Sequence, residues 1–193
     1  MAFPTPIYVK CYQRRLPHWQ SIGQPLFVTF RLDGSLPVNR TFPPAHLTSG
    51  RAFVAMDRLL DKPVCGPVFL QRPEIAQVVV DALHAGEDRF HRYQLHAFVV
   101  MSNHVHVLVT PHVDGKQWLR PLKGFTAHEA NRILGRSGPF WQDESYDRLI
   151  RDNTEFQRVQ RYIECNPVAA GMCASPEGFP WSSAAPGRSP AAG

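Results

Sequence analysis

The sequence predicts an α+β fold, a mainly antiparallel sheet with helices packed on it. Segments with the two-residue period of strands are interleaved with segments of helical period, and no internal repeat is found. Two strand-like runs, 95–101 and 103–110, are neighbours in the chain and meet at the polar pair Ser102-Asn103. With 193 residues and 44% hydrophobic content, the chain is expected to form one domain with appendages at its ends.

The first half of this domain is predicted from strand formers, helical spacing of apolar residues and proline positions. Its elements are expected in this order: a strand at 26–32 with a turn at Asp33-Gly34, a helix at about 48–61, a short strand at 68–70, and a helix from Pro73 that Gly86 closes. The second half is expected to continue with a helix at about 117–134, a short strand within 146–150, and a last helix from Asp152 to about Asn166-Pro167. The inner side of the helix at 117–134 is assigned to Leu119, Leu122, Phe125, Ala130 and Ile133.

The ends of the chain look less regular than its middle. Residues 1–24 are polar, basic and aromatic, and are predicted to be an arm with little regular structure. Residues 174–193 are small, polar and proline-rich, which predicts a partly disordered tail whose first part Phe179 and Trp181 could dock. The domain proper is therefore placed at 25–173.

Charge and cysteine content limit the partners and the compartment. The net charge is +5 and the excess is uneven, because residues 1–51 carry six cations against Asp33 alone. Such a balance suggests a polyanionic partner. The four cysteines form no Cys-x-x-Cys pair, and no signal peptide or membrane span is recognised. We therefore expect a cytoplasmic protein with free cysteines.

His104 and His106 are the first candidate site residues. They lie in the most apolar run of the chain and point to the same side of a strand, with Cα atoms roughly 6.5–7 Å apart. Two imidazoles at this spacing can bind one metal ion. The alternative is a pair of histidines on the polar face of an edge strand.

Tyr162 and Asn166 are the second pair, four residues apart and thus on one side of a helix. The amide oxygen of Asn166 can act as a hard metal ligand, and Tyr162 can attack a phosphorus atom that the metal polarises. In the alternative, Tyr162 packs beside Ile163 and Asn166 caps the helix before proline. The spacing alone leaves both open.

Together these motifs resemble those of one protein family. The run 100–108 resembles the His-hydrophobic-His signature of HUH single-strand endonucleases, and the run 162–171 resembles the tyrosine motif of their single-tyrosine transposases. The runs 16–19, 122–126 and 140–147 fit the same family, so the likeness covers about residues 12–183. More narrowly, the chain resembles REP-associated tyrosine transposases.

The resemblance implies a ferredoxin-like HUH endonuclease fold and a specific chemistry. His104 and His106 would bind Mg²⁺ or Mn²⁺ on a central strand, with Asn166 at the third ligand position, where many relatives outside this branch have glutamine. Tyr162 would attack single-stranded DNA and form a 5′-phosphotyrosine, which the free 3′-hydroxyl can later reverse. Relatives recognise DNA hairpins and include monomers and dimers, so a hairpin substrate, and possible homodimerisation, are implied. Such a protein would be cytoplasmic and nucleoid-associated in a bacterium.

Several basic residues are candidate DNA contacts, although cations on a helix are commonly just a solvated face. The predicted contacts are the basic residues Arg14, Arg15, Arg120, Lys123, Arg132 and Arg136 and the aromatic residue Trp19, for which a place in the core is the alternative. Tyr146 is a rival nucleophile, but its aromatic surroundings favour packing. His96, His112 and His128 are interpreted as surface or packing residues.

Two other functions would use the same residues. One is a DNA-binding module that does not cleave. The other is a metal-dependent hydrolase in which His104 and His106 serve a water nucleophile, and which would therefore form no tyrosine adduct.

Overall fold

A computed structural model describes residues 8–13, 17–35 and 66–187, with 8–13 and 17–21 described by their backbone alone. The predicted helix at 48–61 and the candidate residues Arg14 and Arg15 lie outside the described part. Within it the strands are β1 (Tyr8–Gln13), β2 (Pro17–Ile22), β3 (Leu26–Arg31), β4 (Tyr93–Val100), β5 (His104–Pro111) and β6 (Tyr146–Leu149). The helices are α1 (Pro73–Asp88), α2 (Gly115–Leu134) and α3 (Asn153–Ala169), with 3₁₀ turns at Phe69–Gln71 and Pro176–Gly178.

The central sheet has four strands in the order β4-β5-β3-β6, and every neighbouring pair is antiparallel. With α1 between β3 and β4 and α2 between β5 and β6, this is the ferredoxin-like arrangement. The predicted α+β class is therefore confirmed. The strand that carries the histidines, β5, is central, with β4 on one side and β3 on the other.

Each face of the sheet has its own core. Val28, Phe30 and Val107 belong to a core on the face that α1 and α2 cover. Phe27, Val99 and Leu108 belong to a second core with Ile163 of α3. Because side chains alternate along a strand, consecutive apolar residues of β3 and β5 fill both cores, which explains their near-continuous hydrophobicity.

The expectation of an irregular arm at 1–24 is wrong for much of that segment. β1 and β2 form an antiparallel hairpin in which Tyr8 pairs with Ile22 and Gln13 with Pro17. The polar composition concealed it, because a two-stranded hairpin buries little and needs no apolar alternation.

Residues 68–70 and Gly86 also differ from the prediction. The apolar run at 68–70 enters a 3₁₀ turn instead of a strand. α1 begins at Pro73 as predicted but continues past Gly86 to Asp88. Gly86 is buried there because the ring of Tyr93 occupies the space in which a Cβ atom would lie. Gly86 therefore allows close packing against Tyr93, and it does not end the helix.

α2 is capped by Asp114, whose side chain accepts a hydrogen bond from the Lys116 amide. Its predicted inner side is confirmed for Leu122 and Ala130, which are buried. The prediction that Phe125 lies on the same side is wrong, because its side chain is 56% exposed. The buried face is narrower than the apolar stripe that the sequence suggested.

α3 begins as predicted and ends later than predicted. Asp152 accepts from the Glu155 amide at 2.8 Å, which is an N-cap. The helix then passes through Pro167 to Ala169, so the expected end at Asn166-Pro167 is wrong. The end is set by Gly171, which has φ of +72°. Its amide donates to Val168 and the Met172 amide to Pro167, the two bonds of a Schellman motif.

The segment after α3 docks on the edge of β4. Phe179 is buried, and the backbones of Trp181 and Ser183 bond to Val100 and Phe98 at 2.9 Å each. The predicted docking of this first part of the tail is confirmed for Phe179 and for Trp181, which packs against both cores, while residues 188–193 lie outside the described part. Cys165 and Cys173 are free thiols.

In the described part of the chain, no helix combines the length and the apolar character that crossing a bilayer requires.

Candidate functional site

His104 and His106 lie on the α3 side of the sheet, at the N-terminal end of β5. Both are fully buried, so the alternative of an exposed polar edge is wrong. His106 lies between Val99 of β4 and Thr29 of β3, which are its register partners. The two-residue alternation inferred from the sequence thus places both imidazoles on the same face, and that face is buried at this point rather than exposed to solvent.

The two imidazoles point their Nε2 atoms at each other. These atoms lie 3.1 Å apart, and the ring centroids are 4.6 Å apart. Two nitrogens each about 2.1 Å from one cation, at a right angle to each other, would be separated by about 3.0 Å. The observed separation therefore fits two ligands of one ion.

The other ring nitrogen of each histidine has its own partner. His104 Nδ1 lies 2.7 Å from Asn103 Oδ1, and His106 Nδ1 lies 2.7 Å from Thr29 Oγ1. All four residues are at most 4% exposed. Both nitrogens of each ring therefore have a protein partner, and these contacts are buried, so water does not compete for them.

α3 brings Tyr162 beside His106. Their ring centroids are 5.8 Å apart. Phe27 of β3 contacts both, at 5.6 Å from the His106 ring and at 6.3 Å edge-on from the Tyr162 ring. Ile163, the next residue of α3, is fully buried and fixes the rotation of the helix against the sheet. The predicted union of strand and helix residues is present for Tyr162 and His106.

Asn166 follows one turn later and is 3% exposed. It lies within α3, and its carbonyl accepts a hydrogen bond from the Ala170 amide at 3.0 Å. The alternative in which Asn166 caps the helix end is therefore wrong. Its placement as a third ligand stays a prediction.

The donor set fits a small divalent cation held partly by other ligands. Among the described residues no cluster of three or more His, Cys, Asp or Glu side chains could bind a metal. Two imidazoles and an amide oxygen would supply three positions, which leaves room for phosphate oxygens or water. The convergent nitrogens are the observation that supports the fit.

Two cations lie partly buried near this end of the sheet. Arg31 is the register partner of His104, and its guanidinium donates to Ser35 Oγ at 3.1 Å. Burial lowers its pKa, while Asp33 raises it. Lys123 of α2 donates to the carbonyls of Gln142 and Asp143 at 2.7 and 3.0 Å. Its pKa is lowered to about 8, mainly by burial; the charges of Asp143 and Glu144 oppose this shift, and the charge of Arg31 adds to it.

The predicted DNA contacts on α2 have different environments. Arg120 is exposed, and Arg132 pairs with Glu129 at 2.9 Å. Arg136 donates to the Pro139 carbonyl at 3.1 Å and lies 5.1 Å above the Phe69 ring. These three remain predicted DNA contacts. Lys123 also remains a predicted DNA contact, although its ammonium group is hydrogen-bonded to the loop at 142–143.

Trp19 lies on β2 opposite Cys11, where only the backbone is described. Its predicted DNA contact stays a prediction.

The histidines interpreted as packing or surface residues are confirmed as such. His96 occupies a bulge of β4, bonds Thr110 at 2.7 Å and packs against Phe156 at 5.0 Å between ring centroids. Burial lowers its pKa to about 4. His112 and His128 are exposed.

Tyr146 packs edge-on against Phe27 at 6.4 Å between ring centroids, which agrees with the packing role assigned to it. It is the register partner of Thr29 on the side away from His106.

A cavity of about 400 Å³ lies on the opposite face, between α1 and α2. Its walls include Phe90, Tyr93, Trp118 and Phe125, and none of the candidate site residues lines it.

Sequence reasoning missed Thr29, Asn103 and Arg31. Asn103 carries a signal in the sequence, since it directly precedes His104, but the pattern there indicates only a break between two strands. Thr29 and Arg31 carried none, because their relation to the histidines depends on the register of β3 against β5.

Residues 72–166 match the family model described as IS200-like transposase. A solved structure of a REP-associated tyrosine transposase bound to a REP hairpin is similar to this chain, with a TM-score of 0.53 and 18% identity over 89% of this chain and 81% of that one. No curated protein matches the sequence. At this identity the structural likeness demonstrates a common fold.

Proposed function

We propose that this protein nicks and rejoins single-stranded DNA by means of a tyrosine nucleophile. The proposal starts from the family: through its residues 72–166 the chain belongs to the IS200-like transposase family. The observation that carries the proposal is the contact of Tyr162 with His106, whose Nε2 atom converges with that of His104. A phenol next to a cation site is the arrangement that phosphoryl transfer to tyrosine requires.

In the proposed reaction the Tyr162 oxygen attacks the phosphorus of a phosphodiester. A bond forms between that oxygen and phosphorus, and the bond between phosphorus and the 3′-oxygen breaks. The phenol loses its proton and the 3′-oxygen gains one, so the products are a 5′-phosphotyrosine and a free 3′-hydroxyl. Attack by a 3′-hydroxyl on the phosphotyrosine reverses the step, and the energy of the broken bond is kept in the adduct.

His104 and His106, with Asn166 as the third donor, are proposed to hold Mg²⁺ or Mn²⁺. When bound, the cation stabilises negative charge on the phosphate oxygens and orients the phosphodiester. The protein contributes the positions: the buried imidazoles are fixed by β5, and Phe27 holds the Tyr162 ring edge-on. Phe27, together with buried Val99 and Leu108, also supplies apolar walls that exclude water, which disfavours hydrolysis of the adduct.

We propose hairpin DNA with a single-stranded flank as the substrate. Three features support this choice: the family, the net charge of +5, and the similar fold of a protein solved with a REP hairpin. Arg120, Arg132 and Arg136 are proposed to contact phosphates, which would make binding weaken as salt rises. Such a protein would act in the cytoplasm, on the nucleoid.

Trapping the covalent intermediate tests the proposal. With Mn²⁺ and a labelled hairpin oligonucleotide taken from the DNA flanking its own gene, the protein should acquire a label that survives denaturant. Tyr162→Phe should abolish the label, whereas Tyr146→Phe, the matched control in the same core, should retain it.

Other results would identify the alternatives. A label that persists in Tyr162→Phe means that the nucleophile is assigned wrongly. Cleavage without any label points to a metal-dependent hydrolase that uses water. Tight hairpin binding with no cleavage in any divalent metal points to a binding module.

A further inference from the structure

We infer that Asn103 and Thr29 are positioning residues that hold His104 and His106 with their Nε2 lone pairs directed at one shared cation. The inference rests on the proposed function, since it concerns the metal that the site would hold. Neither residue is a candidate ligand itself. Each acts through the histidine that it contacts.

Asn103 determines the tautomer of His104. An amide oxygen can only accept a hydrogen bond, so at 2.7 Å His104 Nδ1 must be the donor. A neutral imidazole with a proton on Nδ1 has its lone pair on Nε2. That lone pair is directed at the 3.1 Å gap between the two Nε2 atoms.

Thr29 has the equivalent relation to His106. Its hydroxyl can donate or accept, and Thr29 Oγ1 lies 2.7 Å from His106 Nδ1. Binding a cation at His106 Nε2 requires the proton on Nδ1, and the hydroxyl is then the acceptor. Partners of this kind orient metal-binding histidines and raise their basicity.

Both positions are rigid for independent reasons. Asn103 is 1% exposed, and its carbonyl accepts from the Leu32 amide at 2.8 Å, which ties the turn before β5 to the end of β3. Thr29 is in the middle of β3, with β5 on one side and β6 on the other. Because both side chains are buried and both backbones are hydrogen-bonded to a neighbouring strand, the two imidazoles are held in place before any cation arrives.

Mn²⁺ affinity is the quantity that tests the inference, measured by titration of the whole protein with detection of free Mn²⁺ by electron paramagnetic resonance. Thr29→Val keeps the shape and removes the hydroxyl, and Thr29→Ser restores it. We expect Thr29→Val to bind Mn²⁺ about 10–100-fold more weakly and Thr29→Ser to recover most of the loss. Asn103→Leu should weaken binding similarly, whereas Asn103→Asp, which still accepts from His104 Nδ1, should retain it.

Thr126→Val is the matched control. Thr126 is also a buried threonine, but its hydroxyl bonds Trp141 and Leu122 and touches no histidine. This variant should lose stability and keep its Mn²⁺ affinity. In addition, nitrogen chemical shifts in metal-free protein should show His104 protonated on Nδ1 in the wild type and a mixture of tautomers in Asn103→Leu. A residue that only supports packing would not change the tautomer.

The inference is overturned if Thr29→Val and Asn103→Leu bind Mn²⁺ as tightly as the wild type, or if the wild type binds no better than His104→Ala. If Asn103→Leu does not fold, the inference is tested by the Mn²⁺ affinities of Thr29→Val and Thr29→Ser and by the tautomer of His104 in the wild type. Failure here is separable from failure of the proposed function. A normal covalent adduct with unchanged Mn²⁺ affinities rejects only the positioning role, whereas weakened Mn²⁺ binding without any adduct in the wild type rejects only the nuclease.

Discussion

Replacing Gly86 with alanine should destabilise the protein by about 1–3 kcal/mol, although alanine usually favours a helix. A Cβ atom at this position would lie 2.1 Å from Tyr93 Oη, 2.5 Å from Cζ and 2.9 Å from Cε1. Tyr93 is 1% exposed and packs edge-on against Trp118, and it also lines the cavity between α1 and α2, so a ring that shifts to make room gives up its contact with Trp118. Its hydroxyl also donates to the Leu83 carbonyl at 2.8 Å, and a shifted ring would lose that bond.

The magnitude follows from three contributions. Forcing one extra carbon into a packed core costs about 1–3 kcal/mol. Losing the hydroxyl bond adds about 1 kcal/mol. The gain from alanine in a helix offsets about 0.5–1 kcal/mol. The three contributions together leave a net loss in the free energy of unfolding. Equilibrium unfolding in urea measures this loss from the midpoint and the slope of the transition.

Two further variants make the test specific. Gly124→Ala is the matched control, because Gly124 is also inside a helix but has nothing within 4 Å of a new Cβ. It should stabilise the protein by about 0.5–1 kcal/mol. In a Tyr93→Leu background, which removes the ring, Gly86→Ala should become neutral or stabilising. A Gly86→Ala protein as stable as the wild type, or equal effects of Gly86→Ala in both backgrounds, would refute the reasoning.

Two other predictions concern stability around the site. Burial gives His96 a pKa of about 4, below its value of about 6.5 in the unfolded chain. The contribution of the neutral side chain to the stability of the fold is therefore complete above pH 6.5 and is lost as the pH falls toward 4. Between pH 7 and 4, after allowance for the partial exposure of the side chain, the free energy of unfolding of His96→Gln should fall by about 1–2 kcal/mol less than that of the wild type. Urea unfolding at both pH values measures this difference, and equal falls in the two proteins would contradict the prediction. In a thermal unfolding assay, Gly171→Ala should lower the stability of the protein by about 1–2 kcal/mol, because φ is +72° there, and Gly171→Asn should lower it by less. Equal melting temperatures for all three proteins would show that Gly171 does not set the end of α3.

Local patterns predicted those parts of the site that depend on neighbouring residues in the chain. The alternation of β5 placed His104 and His106 on one side, and the helical period of α3 placed Tyr162 one turn before Asn166. The antiparallel sheet and the packing roles of His96 and Tyr146 were also predicted. Joining the strand to the helix relied on the family resemblance, since no local pattern relates two segments so far apart.

The errors have a common physical cause, which is that local signals compete with packing and with hydrogen bonds made elsewhere. Pro167 predicted the end of α3, but a proline can remain inside a helix, and the Schellman bonds at Gly171 end the helix only after Ala169. Gly86 looked like a helix stop because the approach of Tyr93 is invisible in the sequence. Phe125 fits the helical stripe and is nevertheless exposed.

The order of residues alone was enough to establish the class of fold, the shared face of the two histidines and the spacing of Tyr162 from Asn166, because each follows from the period of a strand or a helix. Only the folded chain could show that both imidazoles are buried, that their Nε2 atoms converge, and that Thr29 lies against His106 from 77 residues away. These features depend on the register between β3 and β5 and on the packing of α3. Register and packing are set by the whole core at once, since a shift of one residue would move every side chain to the other face.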